Sequence, residues 1–283
     1  MHPVALWRIG LVMLTSMTLI VGGDVAAKVL TADGFNPLFI AWTRFALACA
    51  LLLPFCGLSR GDSPALRDPR IFLRALLITG GISCILTALR TEPVANVFGA
   101  FFVGPIVAFA LSAVLLKERI TLTRSVLLGL SFLGVLLVVK PGFGATIGMG
   151  FAVLAGVLHG SYVVTTRWIA PHYRPRLLLF SQLFLGAIVL APFGLTTLPD
   201  TVTWAALGLI SISAFGSALG NLMLVSLSKT TPSSVIAPLI YTQLIPASLL
   251  GYLVFSEWPD WVSFVGLAVI LTTGLASLAL ARR

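Results

Sequence analysis

Ten apolar runs follow one another along the chain, roughly at 9–30, 36–56, 70–89, 94–116, 122–140, 147–169, 176–195, 202–227, 233–255 and 260–280. Each comes close to the ~20 residues that a helix needs to cross a ~30 Å hydrocarbon core. Short polar interruptions separate them: DGFNP, TEP, KPGFG, PHYRP, LPD and TTP, rich in the Pro, Gly and Asp that end helices. The pattern predicts an all-α integral membrane protein of ten transmembrane helices.

Charge placement fits that count. With the N-terminus in the cytoplasm, 14 of the 18 Lys and Arg fall on the cytoplasmic side, from Arg8 through the Arg60–Arg74 group and the Lys117–Arg124 group to Arg282 and Arg283. Only Arg90 and Lys140 fall outside, and Lys28 and Arg44 lie within spans. This is the positive-inside asymmetry. It predicts a multi-pass protein of a bacterial-type inner (plasma) membrane with both termini cytoplasmic.

Composition adds two exclusions. Charged residues make up 10% of the chain and hydrophobic ones 58%, against about 25% charged in soluble domains. No soluble domain of any size is available. The net charge of +9 does not point to nucleic acid, because its members are scattered through short loops. Cys49, Cys56 and Cys84 lie in or at the edge of apolar runs without metal-ligand spacing and read as small buried hydrophobes. Neither a metal nor a cofactor is expected. The run after Arg8 is long enough to span, so it reads as the first membrane helix rather than as a cleaved signal.

The second half of the chain repeats the first. With an offset of 139, Arg90 meets Lys229, Thr91 meets Thr230, Pro93 meets Pro232, Glu118 meets Glu257 and Gly81 meets Gly220. With an offset of 138, Gly22 meets Gly160, Arg44 meets Gln182 and Pro54 meets Pro192. The halves are 1–142 and 143–283. Each holds five spans, and five is odd, so the second half is expected upside down relative to the first. Inverted repeats are a common construction of alternating-access carriers, with the substrate near mid-membrane between the halves. An intramembrane enzyme acting on a lipid head group is the remote alternative. Such an enzyme would want clustered His, Asp, Ser or Arg at one surface, and the chain carries no GxxxxGK[ST], HExxH, GxSxG or dinucleotide-binding glycine motif. The protein is therefore read as a carrier and not as an enzyme.

On these residues the chain resembles the drug/metabolite transporter superfamily, EamA type. The likeness rests on ten short spans in two five-span halves, each fourth span running from a loop Pro to an acid: Pro93 to Glu118 and Pro232 to Glu257. The resemblance implies secondary transport of a small organic molecule through a central cavity lined by spans 1, 3, 4, 6, 8 and 9. On family grounds the expected cargo is amino acids or related compounds moving outward. The segment from Asp24 to Arg44, DVAAKVLTADGFNPLFIAWTR, is similar to a subgroup thought to take up vitamins or cofactors, which is the alternative. One chain supplies both halves, so a functional monomer is expected, in lipid, with protons as a candidate coupling ion.

Several polar residues lie where lipid would penalise them. Asp24 and Lys28, four apart on one helix face, and Arg44, about two turns into span 2, form a candidate charge network or gate. Either it pins spans 1 and 2 together or it meets an anionic group of the substrate. Asn96, Phe101, His159, Tyr162, Asn221, Tyr241 and Gln243 are the candidate substrate-binding residues. Taken singly, each polar one also reads as an interhelical hydrogen bond. His159 titrates near neutrality and suits a proton relay or a structural hydrogen bond. Pro105 and Pro246, in spans 4 and 9, are candidate hinges. Gly156/Gly160 and Gly216/Gly220 read as helix contact faces.

Overall fold

The computed structural model describes residues 3–55, 67–115, 117, 122–140, 146–230 and 239–280. Cys56, Glu118, Arg119, Pro232 and the start of the ninth apolar run lie outside them. The described residues are helical, without a strand. The α-helices are α1 (Pro3–Ala32), α2 (Pro37–Leu52), α3 (Pro69–Leu89), α4 (Val94–Phe101), α5 (Val103–Leu115) and α6 (Leu122–Val139). They continue with α7 (Ile147–Ile169), α8 (Pro175–Thr196), α9 (Trp204–Thr230), α10 (Leu244–Phe255) and α11 (Trp261–Leu280). Six helical stretches among the described residues are long and apolar enough to cross a membrane; Pro37–Leu52, Ser125–Val139, Tyr241–Phe255 and Trp261–Gly274 are shorter apolar helices. Large apolar side chains such as Leu11, Phe72, Leu133, Trp204 and Leu253 face outward, the kind of apolar surface that belongs against lipid.

Local chemistry sets the helix ends. Gly34, at φ +92°, closes α1: the Phe35 amide returns to the Leu30 carbonyl at 3.0 Å and the Gly34 amide to Thr31 at 3.2 Å, the paired bonds of a glycine-terminated helix. Asn36 then caps α2 by accepting from the Leu38 amide at 2.8 Å, with Pro37 in the first turn. Asp68 and Pro69 start α3 in the same way. The fourth apolar run does not form one continuous helix. Pro105 has no N–H to return to the Phe101 carbonyl, and its ring crowds that turn. Accordingly α4 stops at Phe101 and α5 starts at Val103, with Phe102 (φ −69°, ψ 4°) between them. Pro246 acts likewise: the turn before it, Tyr241–Gln243, is a 3-10 turn that leads into α10.

Small residues bring helices into backbone contact. Along the α1–α9 seam, a methyl added at Gly220 would come within 2.7 Å of the Ser16 carbonyl, and one at Gly216 within 3.0 Å of the Leu19 carbonyl. The Ser16 hydroxyl donates across the same seam to the Gly220 carbonyl at 2.7 Å. Gly156 and Gly160 press on α4 and α5 at Phe101 and Gly104. Both glycine pairs singled out in the sequence are thus contact faces. Gly134 meets Gly266 between α6 and α11, where Ser131 and Thr273 share a hydrogen bond of 2.7 Å. At the rim, Lys140 pairs with Asp260, the residue that caps α11 through the Ser263 amide.

Two outcomes follow. Gly220→Val overpacks the α1–α9 seam and is expected to cost about 1–3 kcal/mol, read as a lower melting temperature in detergent; Gly129→Ala, with open space around it inside α6, does not lower melting, since alanine is the better helix former. The hydrogen bond from Lys140, then the Ser263 amide, holds Asp260 down to about 2. Its folded value lies below the unfolded one of about 3.9, so its contribution is complete above that pH and is lost as pH falls toward 2. Asp260→Asn should flatten this acid branch of a melting-against-pH curve, and only slightly, because the pair is exposed.

Candidate functional site

The buried charges sort into three groups. In the first, the Arg44 guanidinium donates through Nη1 to Asp24 Oδ1 at 2.6 Å and through Nη2 to the Gly23 carbonyl at 3.0 Å and Ser213 Oγ at 2.9 Å. Asp24 and Arg44 are buried, at 3% and 5% exposure. One fork therefore ties α1, α2 and α9. Arg44 can reach Asp24 because Gly34 turns α2 back antiparallel to α1. Close α1–α9 packing at Gly23, where a methyl would sit 2.9 Å from the Ser213 carbonyl, brings Ser213 into reach.

In the second group Lys28 departs from the expected triad. Its ammonium is bound by both Glu257 carboxylate oxygens, at 2.5 and 2.7 Å, and by the Glu92 carbonyl at 2.6 Å. These three acceptors match its three donors. It also lies over the Phe255 ring, 4.7 Å from the centroid. Glu257 further accepts from the Val94 amide at 3.2 Å, and the Glu92 carboxylate accepts from the Thr146 hydroxyl. The charge network is therefore two separate neutral pairs, Asp24–Arg44 and Lys28–Glu257, because the segment after α10 places a carboxylate closer to Lys28's reach than Asp24 does. Sequence reasoning placed Glu257 in an outer loop. Its partner is 229 residues away, and no local spacing signals the pair.

The third group was missed as a site. Arg74 reads in the sequence as one more loop cation, yet it is buried within α3 at 4% exposure. Nε donates to Thr166 Oγ1 at 2.8 Å, Nη1 to the Leu178 carbonyl at 2.7 Å and Nη2 to the Tyr162 hydroxyl at 2.8 Å. The Tyr162 hydroxyl donates on to Gln182 Oε1 at 2.8 Å. This network ties α3, α7 and α8 through neutral partners.

The other candidates divide. His159 lies between Phe101, at 5.0 Å between ring centroids, and Tyr162, at 5.7 Å, so Phe101, His159 and Tyr162 form one aromatic ladder. Its described ring contacts are aromatic and offer no carboxylate for a relay. Asn96 and Gln243 are each left with a buried atom lacking a protein partner, Asn96 Oδ1 and Gln243 Nε2. One is an acceptor and one a donor, and such orphans in a protein interior call for an explanation. Asn221 donates back along its own helix to the Ser217 carbonyl at 2.8 Å. Tyr241 is packed rather than presented: its ring stacks on Phe102 at 4.6 Å and 13°, and Gly274 on α11 leaves room for it. Pro105 and Pro246 stand just after the two helix breaks.

An apolar exterior, an all-helical bundle, paired interior charges and orphaned interior amides define a multi-pass membrane transporter. Comparison with known proteins gives the family. The profile of the EamA-like transporter family matches residues 7–140 and again 146–278, and the chain belongs to that family. It is similar to proteins named S-adenosylmethionine uptake transporter in Rickettsia felis, 26% identical over 89% of this chain and 86% of that one. The counterpart in Rickettsia prowazekii is 27% identical over the same shares. An uncharacterized transporter of Helicobacter pylori is 23% identical over 87% and 86%. A protein of known crystal structure shares the fold at a TM-score of 0.67 and 18% identity, covering 98% of both chains.

Removing one partner of a buried ion pair costs about 3–5 kcal/mol. Arg44→Gln should therefore lower the melting temperature in detergent markedly. Asp24→Asn combined with Arg44→Gln should recover much of the loss, because no lone charge remains. A double variant as unstable as the single one would remove the pair from this account.

Proposed function

We propose that the protein is a secondary uptake carrier for an amphipathic, cofactor-like solute of the chemical kind of S-adenosylmethionine. In this reading it works by alternating access between two inverted five-span repeats, 1–142 and 143–283. The observation that carries the cargo and direction is the match, along 89% of this chain, to relatives named S-adenosylmethionine uptake transporters. Outward amino-acid transport, the first expectation from the sequence, has no comparable support. The interior suits such a solute. The ladder of Phe101, His159 and Tyr162 offers flat faces for a heterocycle and π-faces for a cation. Asn96 and Gln243 leave one acceptor and one donor for a polar edge.

Ten spans and the inversion draw support from paired local features. The family profile matches twice, starting at 7 and at 146. Both fourth spans break at equivalent places, Phe102 and Tyr241, and these two residues stack on each other. A residue in face-to-face contact with its own repeat equivalent is what a two-fold axis produces. Left-handed residues follow both of these spans at equivalent positions, Lys117 at φ 53° and Ser256 at φ 56°. Gly220 packs on Ile20 of α1 while Gly81, its equivalent, packs on Leu158 of α7, and Leu158 is the equivalent of Ile20. With the N-terminus cytoplasmic, as the loop charges favour, the Asp24 group stands in the outer half of the membrane and the Arg74 group in the inner half. One chain completes the pathway, so a monomer suffices.

The test is accumulation of labelled S-adenosylmethionine by bacterial cells expressing the chain. We expect uptake several-fold above cells carrying the empty vector, suppressed by excess unlabelled solute and lost with Phe101→Ala at equal protein level. No accumulation, together with amino acids building up in the medium of expressing cells only, would overturn uptake in favour of export.

A further inference from the structure

The repeat offsets, applied to the buried polar networks, relate two of them to each other. The offset of 138 that lays Gly22 on Gly160 carries Asp24 to Tyr162 and Lys28 to Thr166; the same offset carries Arg44 to Gln182. The offset of 139 that lays Gly81 on Gly220 carries Arg74 to Ser213. The first network joins Asp24, Arg44 and Ser213 through 2.6 and 2.9 Å contacts. The second joins Tyr162, Gln182 and Arg74 through two contacts of 2.8 Å. Each of these three side chains in one network therefore has its repeat equivalent in the other, whereas the Gly23 and Leu178 carbonyls that complete the two forks have no such counterpart. The fourth equivalent, Thr166, is also bound by Arg74, at 2.8 Å.

The surroundings match as well. The first network sits toward the end of α1, midway along α2 and in the first half of α9. The second sits toward the end of α7 and near the starts of α8 and α3. Gly186 on α8 packs against both Phe45 and Thr79; Arg44 lies on the α1–α2 turn side of that level and Arg74 on the α3 start side, so the two networks stand at different depths of the bundle. The central residue differs, an acid in one and a phenol in the other, and so does the arginine-bearing helix. In the first network it is α2, the helix that follows the central acid; in the second it is α3, and the α8 position holds Gln182. One guanidinium supplies each network in either case, because a planar fork of donors is the side chain that can bond two helices at once.

We propose that these networks are one latch built twice. Arg44–Asp24–Ser213 closes the path at one face of the membrane, Arg74–Tyr162–Gln182 closes it at the other, and the transport cycle releases them in alternation. This assigns Arg74, Tyr162 and Gln182 a positioning role that local sequence does not reveal. The inference rests on the alternating-access reading above. Both latches are made in this structure, so the path is shut at both ends. Opening one face means parting α1 from α2 and α9 around Arg44; opening the other means parting α7 from α8 and α3 around Arg74.

The experiment reads side-specific access to the middle of the bundle. Ser83 on α3 is half-buried and its hydroxyl has no protein partner. A Ser83→Cys reporter is placed in a chain whose own cysteines are replaced by serine, and labelled with a membrane-impermeant thiol reagent in vesicles of either orientation. Arg44→Gln should raise labelling several-fold from the face that carries the first network, and only from there. Arg74→Gln should raise it several-fold from the opposite face, and only from there. Tyr162→Phe keeps the ring and the charge while removing the hydroxyl that joins Arg74 to Gln182, so it must shift labelling in the same direction as Arg74→Gln even if that variant fails to accumulate. Labelling raised from the same face by both arginine variants, or from both faces by either, or unchanged by Arg44→Gln and Tyr162→Phe alike, overturns the twin latch. Solute uptake by the parent chain is measured in the same vesicles. A chain that moves no solute counts against the carrier reading, whereas a chain that transports without side-specific labelling counts against the latch alone.

Discussion

A full charge in the middle of a bilayer costs at least about 2.5–3.5 kcal/mol even on the scale most lenient to it, so each buried cation of this protein must be met by partners on neighbouring helices. That requirement organises the bundle. Arg44 is met by an acid on α1 and a hydroxyl on α9; Lys28 by an acid beyond α10 and a carbonyl before α4; Arg74 by hydroxyls on α7 and a carbonyl on α8. Apolar packing between helices gains little over packing against lipid. The polar ties and the close glycine contacts therefore specify which helix lies beside which. Helices α1 and α7 hold most of these ties, and they are the first helices of the two halves.

The same requirement keeps the interior close to neutral where it counts for a solute. Asp24 cancels Arg44 and Glu257 cancels Lys28, which leaves the orphaned Asn96 and Gln243 amides, the Thr79 and Ser83 hydroxyls, Arg44 Nε and the aromatic ladder as groups with capacity to spare. A carrier gains from this arrangement. A lone buried charge would hold an opposite ion too tightly to release it, whereas amides and ring faces bind a solute by contacts of modest strength. Two buried groups fall outside these pairs: Glu92, whose carboxylate accepts from the Thr91 and Thr146 hydroxyls, and Arg74, a cation whose described partners are all neutral. The C-terminal end of α7, where Thr166 sits, is the negative end of a helix dipole and favours a guanidinium there.

Much of the architecture could be read along the chain, because lipid imposes a one-dimensional rule. Runs of the right length, punctuated by Pro, Gly and Asp, locate the helices: the runs at 36–56 and 70–89 begin within a residue of α2 and α3, where Asn36-Pro37 and Asp68-Pro69 cap and start them. The Asp24–Arg44 pair was legible from depth alone, since two charges in one half of adjacent antiparallel helices have few other places to go. Lys28–Glu257 was not, because its partners are 229 residues apart and Glu257 follows a helix end, where an acid ordinarily faces water. Arg74 was hidden by its company: after Arg60, Arg67 and Arg70 it looks like one more loop cation, and only the packing of α7 and α8 over the start of α3 buries it. Tyr241 illustrates the opposite error. A tyrosine deep in a span suggests a ligand contact, but its ring is spent on Phe102.

The difference between the two arginine networks has a physical reading of its own. In the two-repeat reading proposed above, the chain holds two copies of a three-helix junction, and burial demands that each be satisfied. It does not demand that the guanidinium stay on the same helix. At each junction two of the three acceptors lie on the helix that starts its half, α1 or α7, and the third on the remaining neighbour, α9 or α8, so an arginine on either neighbouring helix can reach the first helix. In one copy the acceptor is a carboxylate, which gives a charge-assisted bond inside an ion pair. In the other it is a phenol and a threonine hydroxyl, which bind the same fork through charge-to-neutral bonds only. Both forks make charge-assisted bonds, but only the first also sets a second charge against the guanidinium, so the two junctions differ in electrostatics while sharing a layout. A two-state carrier built on symmetric halves would otherwise divide its time evenly between its faces. On the twin-latch proposal, the carboxylate at one junction and the phenol at the other let a few side chains set the resting orientation while the helices keep their packing.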